Sequence, residues 1–417
     1  MKFISRCVCL LLGLSLAVAQ SGATEEPTQE SRILFEQVDP ILQGLSEITG
    51  WKIKRKVPAD YISRAQLRAF IQRRVKEVLK PEEIRLEALA LKMFGLVPDD
   101  FDLEKTMVDL MTEQAAAFYD YDRKRLFITE SPASFLEKRV ALVHELAHAL
   151  ADQNFSLGKY LRAGKKNDDG ETAREAVMEG QATWLMWAYV SKLGGGEAKV
   201  SDMILKTAAG PALAPGSQFP VFENAPLYLR ESLTFPYTRG MLFQNAVFEK
   251  LGRAGFTEVF RRAPEGTQQI LHPEKYLNGV GPQRTEPPQI PEAKRYQAVL
   301  DGAVGEFDHH VLIEQYASEG EAESIAPHWR GGSFRLFEAK GDRHPVLAYA
   351  SEWDSPAAAA AFFAVYKAAV RKKSRELAPA EDAAGKFTGE NERGRFALRL
   401  EGARVSGIEG YRAHGLN

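Results

Sequence analysis

Residues 140–151 constrain this chain most, because they place a His-Glu-x-x-His motif in an otherwise apolar helix. With about 1.5 Å of rise and 100° of turn per residue, His144 and His148 lie on one helix face, about 6 Å apart along the axis. This spacing lets two imidazoles reach one metal ion, and Glu145 points to the edge of that face. Buried imidazoles and a buried carboxylate are costly to desolvate unless something binds them. The segment therefore predicts a metal site. The simpler interpretation is a pair of hydrogen-bonded core histidines.

The first residues of the chain are typical of a secretory signal. Lys2 and Arg6 flank the start of an apolar run over residues 8–19, which ends in the A-x-A cleavage site Ala17-Val18-Ala19. This run is too short for a stop-transfer helix, and no later stretch reaches the roughly 18 apolar residues that a spanning helix needs. We therefore expect a secreted or periplasmic protein that has no integral membrane segment after signal removal.

Charge and cysteine content argue against several kinds of site. The chain has 54 Lys and Arg residues against 56 Asp and Glu residues, and its formal net charge is −2 at pH 7. Without a basic excess, we expect no nucleic-acid partner. Cys7 and Cys9 are the only cysteines, and both leave with the signal segment. The mature chain is therefore expected to have no disulfide, no thiolate ligand and no cysteine nucleophile.

The length of 417 residues allows two or three domains. The best boundary signal is residues 281–292, which hold four prolines and are typical of a linker. We expect one domain over residues 31–280 and a small α+β domain over residues 293–417, so that the overall fold class is α+β. The pattern in the second domain predicts, in order, a helix over 293–317, paired strands over 333–338 and 346–353, a helix over 357–371 and a strand over 396–400.

Local patterns in the first domain predict the elements around the metal helix. They indicate a strand over 51–62, a hairpin over 115–129, a polar surface loop over 157–170, and helices over 171–193 and 238–251. The hairpin is either the edge on which an extended peptide docks by strand addition or an ordinary part of a sheet. Helix 171–193 contains an apolar run whose only charge is Glu179, and Gly180 beside it permits close approach of another helix.

A catalytic zinc site usually takes three protein ligands and keeps one position open. A metzincin would have a glycine three residues after His148 and a histidine six residues after it, but Ala151 and Asn154 stand there. The other histidines lie outside the apolar helices. Glu179 is therefore our candidate for the third ligand, with Glu175, one turn earlier, as the alternative. Two imidazoles and one carboxylate suit Zn²⁺ best among the common metals.

The candidate ligands stand in two motifs that resemble those of a known family. His144-Glu-Leu-Ala-His148, followed by Glu179-Gly-Gln-Ala on a second helix, resembles the gluzincins, the metallopeptidases with two His ligands and one Glu ligand. Other segments resemble a group of exported bacterial members of that clan: Ala117-Phe-Tyr-Asp-Tyr, residues 144–153, Phe235-Pro-Tyr-Thr-Arg-Gly240 and residues 270–276.

The resemblance covers roughly residues 35–370 and implies a zincin-like fold. Such a fold has a small twisted sheet with the metal helix beneath it, then a mostly helical lower half that carries Glu179. The chain departs from the family in two places. The separation of His148 and Glu179 is longer than in the thermolysin-like branch, and Thr183 stands where several gluzincins keep an acid.

The resemblance also implies a mechanism. Zinc activates a water molecule for attack on a peptide bond, and Glu145 acts as the general base. Tyr237 is the candidate donor to the developing oxyanion, or else a ring that packs at a helix start. Asp152 either supports a ligand imidazole, caps the helix or faces solvent.

We therefore expect an exported zinc-dependent metallopeptidase that acts on a peptide or protein substrate. The alternative is a catalytically inactive, zinc-stabilised scaffold that binds an envelope partner. A non-peptidase hydrolase on the same fold is a third interpretation. Cleavage specificity, endo- or exopeptidase action, oligomeric state and the role of residues 293–417 do not follow from the sequence.

Overall fold

The computed structural model describes residues 29–78, 80–114, 117–130, 133–164, 167–209 and 219–412. The predicted signal segment, with Cys7 and Cys9, lies outside these residues. The helices are α1 (Gln29–Glu36), α2 (Val38–Thr49), α3 (Arg64–Val78), α4 (Pro81–Phe94), α5 (Leu103–Gln114), α6 (Phe135–Phe155), α7 (Leu157–Arg162), α8 (Asp168–Leu193), α9 (Asp202–Ala209), α10 (Pro220–Glu223), α11 (Leu227–Leu251), α12 (Ala254–Arg261), α13 (Thr267–Leu271), α14 (Pro273–Leu277), α15 (Glu306–Tyr316), α16 (Glu319–Ile325) and α17 (Pro356–Lys373). The strands are β1 (Ala59–Ile62), β2 (Ala117–Asp120), β3 (Arg125–Thr129), β4 (Tyr296–Ala303), β5 (Trp329–Ala339), β6 (Pro345–Trp353), β7 (Glu381–Ala383), β8 (Lys386–Asn391), β9 (Gly394–Glu401) and β10 (Arg404–Tyr411).

The fold is mixed α+β, a mostly helical part followed by an antiparallel sheet. Within the described ranges, no helix combines the length and apolar character needed to cross a membrane.

A small three-stranded sheet lies beside helix α6. Its order is β1-β3-β2, with β3 parallel to β1 and antiparallel to β2, so β2 is an edge strand. Successive side chains of a strand point to opposite faces. Phe118 stacks on Phe70 of α3, whereas Tyr119 reaches α6. The sheet therefore lies between α3 and α6, and the predicted hairpin is confirmed for residues 117–129; Ala115 and Ala116 lie outside the described residues.

Helix α6 carries the His-Glu-x-x-His motif into the protein interior. It begins at a capping box, in which Ser134 Oγ accepts a hydrogen bond from the Glu137 N–H at 3.3 Å. The Glu137 carboxylate in turn accepts from the Ser134 N–H at 2.7 Å, so two main-chain donors at the helix start are satisfied. Residues 142–153 are all buried, as the apolar pattern predicts.

Helices α8 and α11 cross with their backbones in contact. A Cβ added to Gly180 of α8 would lie 2.0 Å from the carbonyl carbon of Gly240 in α11. One added to Gly240 would lie 2.1 Å from the carbonyl oxygen of Ala176. The separation of the helices leaves no room for a side chain at either position. The close approach predicted for Gly180 is confirmed.

Helix α11 begins at Leu227, whereas the sequence predicts a start at residue 238. The difference arises at Pro236, which lacks an N–H and normally ends a helix. Here Phe235 and Pro236 are both buried, and the Phe235 ring packs 4.5 Å from that of Phe307. Tertiary packing therefore stabilises a helix that continues across Pro236.

The predicted strand over residues 51–62 is limited to β1. Residues 51–57 instead run along α6, where Gln153 Oε1 accepts from the Lys54 N–H at 2.7 Å. The same side chain donates from Nε2 to the Arg55 carbonyl at 3.1 Å. The side chain of Gln153 on α6 thus makes the main-chain hydrogen bonds that a neighbouring strand would otherwise make.

The predicted surface loop over residues 157–170 is wrong, because this segment contains α7 and the start of α8. Leu157 and Tyr160 are buried, and so is Asp169. Asp169 Oδ1 accepts from the Thr267 N–H at 3.0 Å and from the Thr267 hydroxyl at 2.6 Å. Polar composition suggests a solvated loop, but here the acidic group is bound inside the protein.

The C-terminal part is a seven-stranded antiparallel sheet with the order β4-β5-β6-β10-β9-β8-β7. Helix α17 packs on one face, where Tyr349 of β6 contacts Phe362 and Tyr366. The predicted paired strands and the helix over 357–371 are confirmed. The predicted helix over 293–317 is wrong at its start, because residues 296–303 form edge strand β4. Pairing with β5 outweighs the weak local pattern there.

The helical part and the sheet share one hydrophobic core. The Phe94 ring of α4 packs edge-on against Phe334 of β5 and Tyr349 of β6. Tyr228 of α11 donates its hydroxyl to Asp308 Oδ1 of α15 at 2.6 Å, and both residues are buried. The sheet therefore packs directly against helices of the helical part.

Replacing Gly180 by alanine should destabilise the protein, because the added methyl group meets the α11 backbone. We expect the free energy of unfolding to fall by about 1–3 kcal/mol, as for other overpacked sites. Urea denaturation measures this change. Gly320→Ala in α16 is the control, since nothing lies within 4 Å of its Cβ position. It should be neutral or stabilising by up to about 1 kcal/mol. Unchanged stability of Gly180→Ala would contradict the backbone contact.

Candidate metal centre

The buried half of α6 is the meeting point of four elements. Helix α6 supplies His144, Glu145 and His148, and helix α8, which packs against it, supplies Glu179. Helix α11 brings Tyr237, and edge strand β2 runs alongside. The predicted site residues are therefore neighbours in space, although up to 93 positions separate them in the sequence.

The side chains of His144, His148 and Glu179 converge on one point; we call them the His–His–Glu group. Nε2 of His144 lies 3.0 Å from Nε2 of His148 and 3.0 Å from Oε2 of Glu179. Nε2 of His148 lies 3.2 Å from the same oxygen. His148 and Glu179 are each only 1% exposed. Among the residues that the structure describes, no other set of three His, Cys, Asp or Glu side chains brings its ligand atoms this close together.

Three ligand atoms at such distances favour a cation over ordinary hydrogen bonds. A proton between two of them satisfies that pair, but the third lone pair then faces the other two. An ion at the centre is bound by all three atoms at once. Two imidazoles and a carboxylate are a ligand set that divalent transition metals accept. The group could therefore hold a metal ion.

The neighbouring imidazoles hold the pKa of the Glu179 carboxyl low in spite of its burial. Burial alone would raise its pKa, but the imidazoles of His148 and His144 lower the pKa to about 2. The alternative ligand Glu175 is also buried, one turn earlier on α8. It is Glu179, however, whose oxygen lies within 3.2 Å of both imidazoles.

The Glu145 carboxylate lies next to the His–His–Glu group without joining it. Its Oε2 accepts a hydrogen bond of 2.7 Å from the Tyr119 N–H on β2. Burial raises the pKa of this carboxyl to about 7; His144 and the Tyr119 N–H oppose the rise, and the charge of Glu179 adds to it. The Tyr119 N–H lies on the free edge of β2, for which the sequence left peptide docking and an ordinary sheet strand as alternatives, and there it bonds to Glu145.

Tyr237 lies over the site from the α11 side. Its ring stacks on His144 with 5.8 Å between centroids and 29° between planes. Burial and the charges of Glu179, Glu145 and Glu175 raise the pKa of its hydroxyl well above the usual value. The hydroxyl is buried, although the residue as a whole is 37% exposed.

Asp152 bonds to groups other than a ligand imidazole. Its Oδ1 accepts from the Leu157 N–H at 3.1 Å, at the start of α7. Its Oδ2 accepts from the Tyr119 hydroxyl at 3.0 Å, from Lys124 at 2.7 Å and from Arg55 at 3.1 Å. The side chain is fully buried. Of the three interpretations of Asp152, the structure supports a capping role and adds ion pairing.

Tyr119 is the site residue that sequence reasoning missed. It contacts Glu145 through its main chain, and no side-chain pattern identifies such a contact. The available signal was the Ala117-Phe-Tyr-Asp-Tyr segment, which belongs to the resemblance but carries no chemistry of its own.

Other described histidines have partners away from the site, and His414 lies outside the described residues. The contacts are His272 with Glu306, His309 with the Gly305 carbonyl and Tyr349, His310 with Glu314, His328 with Asp354, and His344 with the Gly410 carbonyl.

A family model matches residues 293–417 and is described as a domain of unknown function (DUF8575). The matched segment includes the seven-stranded sheet and lies outside the His–His–Glu group. No curated protein and no solved structure matches the chain. The chemistry of the chain is therefore inferred from the site residues themselves.

Proposed function

We propose that this chain is an exported zinc-dependent metallopeptidase with the zincin-like fold of the gluzincins, and that it hydrolyses peptide bonds in peptide or protein substrates. The observation that supports this most is the convergence of His144, His148 and Glu179, with the Glu145 carboxylate beside them. A purely structural metal site has no need of a carboxylate next to its ligands. The sequence resemblance to the gluzincins supports the same proposal.

The dimensions of the His–His–Glu group suit zinc. Zinc binds imidazole nitrogen and carboxylate oxygen at about 2.0–2.2 Å in tetrahedral sites, which places ligand atoms about 3.3 Å apart. The three distances here are 3.0, 3.0 and 3.2 Å. A site with three protein ligands keeps one position for water or substrate. When bound, zinc supplies Lewis acidity, which activates water near neutral pH and polarises a carbonyl group.

Glu145 is the proposed general base. Its Oε2 is bonded to the Tyr119 N–H, which leaves Oε1 for proton transfer. Oε1 takes a proton from the attacking water and passes it to the nitrogen of the leaving amine. The side chain is held next to the ligands and yet is not one of them, as this role requires.

Tyr237 is the proposed donor to the carbonyl oxygen on which negative charge develops. Its ring stacks on His144, and the charges of Glu179 and Glu145 act on its hydroxyl, so the hydroxyl lies close to the proposed metal and base. A donor held in place before the reaction stabilises the transition state without reorganisation.

Export is proposed from the sequence alone. Lys2 and Arg6, the apolar run over residues 8–19 and Ala17-Val18-Ala19 form the expected pattern of a cleaved signal. Cleavage after Ala19 would also remove both cysteines.

The mature protein should bind one zinc ion per chain and gain stability from it. At a zinc concentration of about 100 times Kd, the gain is about 2.7 kcal/mol. Glu179→Gln should weaken zinc affinity by about 100-fold or more, since loss of a ligand exceeds the effect of losing a supporting residue. Chelator competition and thermal unfolding measure both effects. Equal zinc affinity in the Glu179→Gln variant would show that this residue is not a ligand.

Cleavage of a mixed peptide library tests the activity. The zinc-loaded protein should cut peptides, chelator should abolish cutting, and Glu145→Gln should lower kcat by about 10²–10⁴-fold while still binding zinc. Glu258→Gln is the matched control, because it makes the same change in a carboxylate of α12, which pairs with Arg262 just after the helix. It should leave kcat unchanged.

A different outcome would favour the alternative function. The peptidase proposal fails if the protein binds zinc through the His–His–Glu group and yet cuts no peptide. It also fails if every peptide that the protein cuts is cut equally by the Glu145→Gln variant. A zinc-stabilised scaffold that binds an envelope partner would then be the better interpretation.

Removal of the Tyr237 hydroxyl tests its role as the oxyanion donor. Tyr237→Phe keeps the ring on His144, so zinc affinity should not change. The kcat should fall by about 10²–10³-fold, the usual cost of losing one such donor. Steady-state kinetics beside a zinc titration separate the two quantities. An unchanged kcat would leave Tyr237 with a packing role only.

A further inference from the structure

We infer that Tyr119 and Asp152 are a positioning pair for Glu145: the Tyr119 phenol is anchored on Asp152 so that the Tyr119 N–H holds the Glu145 carboxylate in place. The inference rests on the proposed function, because it assigns the residues that orient the proposed base. It concerns a main-chain donor and its anchor, and neither of them belongs to the His–His–Glu group.

Tyr119 is bonded at both ends to one helix. Its N–H donates to Glu145 Oε2 at 2.7 Å, and its hydroxyl donates to Asp152 Oδ2 at 3.0 Å. The two acceptors are seven residues apart on α6, which places them on one face and about 10.5 Å apart along the axis. A tyrosine with a hydrogen bond at each end has the length to span that distance. The residue therefore lies along α6 over two helical turns.

The Asp152 end of this arrangement is fixed by charge. Lys124 Nζ at 2.7 Å and Arg55 Nη2 at 3.1 Å bind the same oxygen that accepts from Tyr119. The other oxygen accepts from the Leu157 N–H at 3.1 Å. With both oxygens bonded and the side chain fully buried, the acceptor of the Tyr119 phenol has little freedom to move.

The Glu145 end needs such an anchor because of its place in the sheet. Tyr119 lies on edge strand β2, which has β3 on one side only. Its N–H points away from β3, so sheet pairing does not fix the hydrogen bond to Glu145. A bond from the phenol to α6 fixes the strand against the helix at this residue. The Glu145 oxygen that accepts from Tyr119 is then held, which also fixes the orientation of the rest of the carboxylate.

The main test is amide hydrogen exchange at position 119, which requires no catalysis. In Tyr119→Phe the phenol bond is lost but the main-chain N–H remains, and we expect exchange at this amide to become about tenfold faster or more through local opening. Glu145→Ala lacks the acceptor of this N–H, so its exchange rate at position 119 sets the upper limit. Tyr160→Phe is the matched control, because it removes a buried hydroxyl that bonds to the Val259 carbonyl, away from the site. That variant should exchange at position 119 like the unmodified protein.

Asp152→Asn is a second variant for the same measurement. It keeps the shape of the side chain and removes the charge that binds the phenol, Lys124 and Arg55. Its amide at position 119 should also exchange faster than in the unmodified protein. Wild-type protection of this amide in Tyr119→Phe would overturn the inference, whether or not Asp152→Asn folds.

Kinetics provide the functional readout. In Tyr119→Phe, kcat should fall by about 10- to 100-fold, the range seen for residues that orient the ligands of a metal site. KM and zinc affinity should not change. The double variant Tyr119→Phe with Glu145→Gln should be no slower than Glu145→Gln alone, because the phenol acts through Glu145. A change confined to KM or to zinc affinity would contradict this.

The two proposals fail in different ways. If the unmodified protein cuts no peptide, the proposed function fails, while the exchange measurement still reports on the anchor. If the protein is active and Tyr119→Phe has wild-type kcat and wild-type exchange, the positioning role fails and the proposed function stands.

Discussion

The backbone contact between α8 and α11 is the constraint on which the candidate site depends. Packed helices with side chains between them are usually 8–10 Å apart, but at Gly180 and Gly240 not even a Cβ fits. Glu179 directly precedes one of these glycines, and Tyr237 lies one turn before the other. The crossing therefore brings a carboxylate from one helix and a phenol from the other to the same part of α6. Because both residues lie beside the contact, any widening of the crossing displaces them directly.

Residues of the C-terminal part bind helices α8 and α11 near the start of each helix. On α15, Asp308 accepts from the Tyr228 hydroxyl near the start of α11. The Phe307 N–H donates to Thr267 Oγ1 at 3.2 Å, and that hydroxyl donates to Asp169 near the start of α8. These contacts are buried and polar, so their loss would leave unsatisfied groups inside the protein. The segment that matches the domain of unknown function thus packs as part of the framework that positions Glu179 and Tyr237.

The predictions that the structure confirms are those whose signals are local. The apolar run around the His-Glu-x-x-His motif predicts the buried part of α6 without knowledge of the rest of the chain, and Gly180 beside Glu179 predicts the close crossing. The wrong predictions depend on distant partners: residues 51–57 bond to Gln153, and residues 296–303 form a strand because β5 lies alongside. The zincin-like identity and the catalytic roles remain predictions, because proximity of groups does not by itself establish a reaction.

Glu179 and Glu145 show how one small region keeps two buried carboxylates in different environments. Glu179 faces two imidazoles, and these outweigh the cost of its burial. Glu145 has one main-chain hydrogen bond, from Tyr119, which only partly offsets the same cost. A buried carboxylate with several partners is stable as an anion, whereas one with a single partner retains affinity for a proton. The pKa values of the two carboxyls differ because each side chain contacts a different neighbour. For Glu145 this neighbour is the Tyr119 N–H, which is held in place by the bond from the Tyr119 phenol to Asp152.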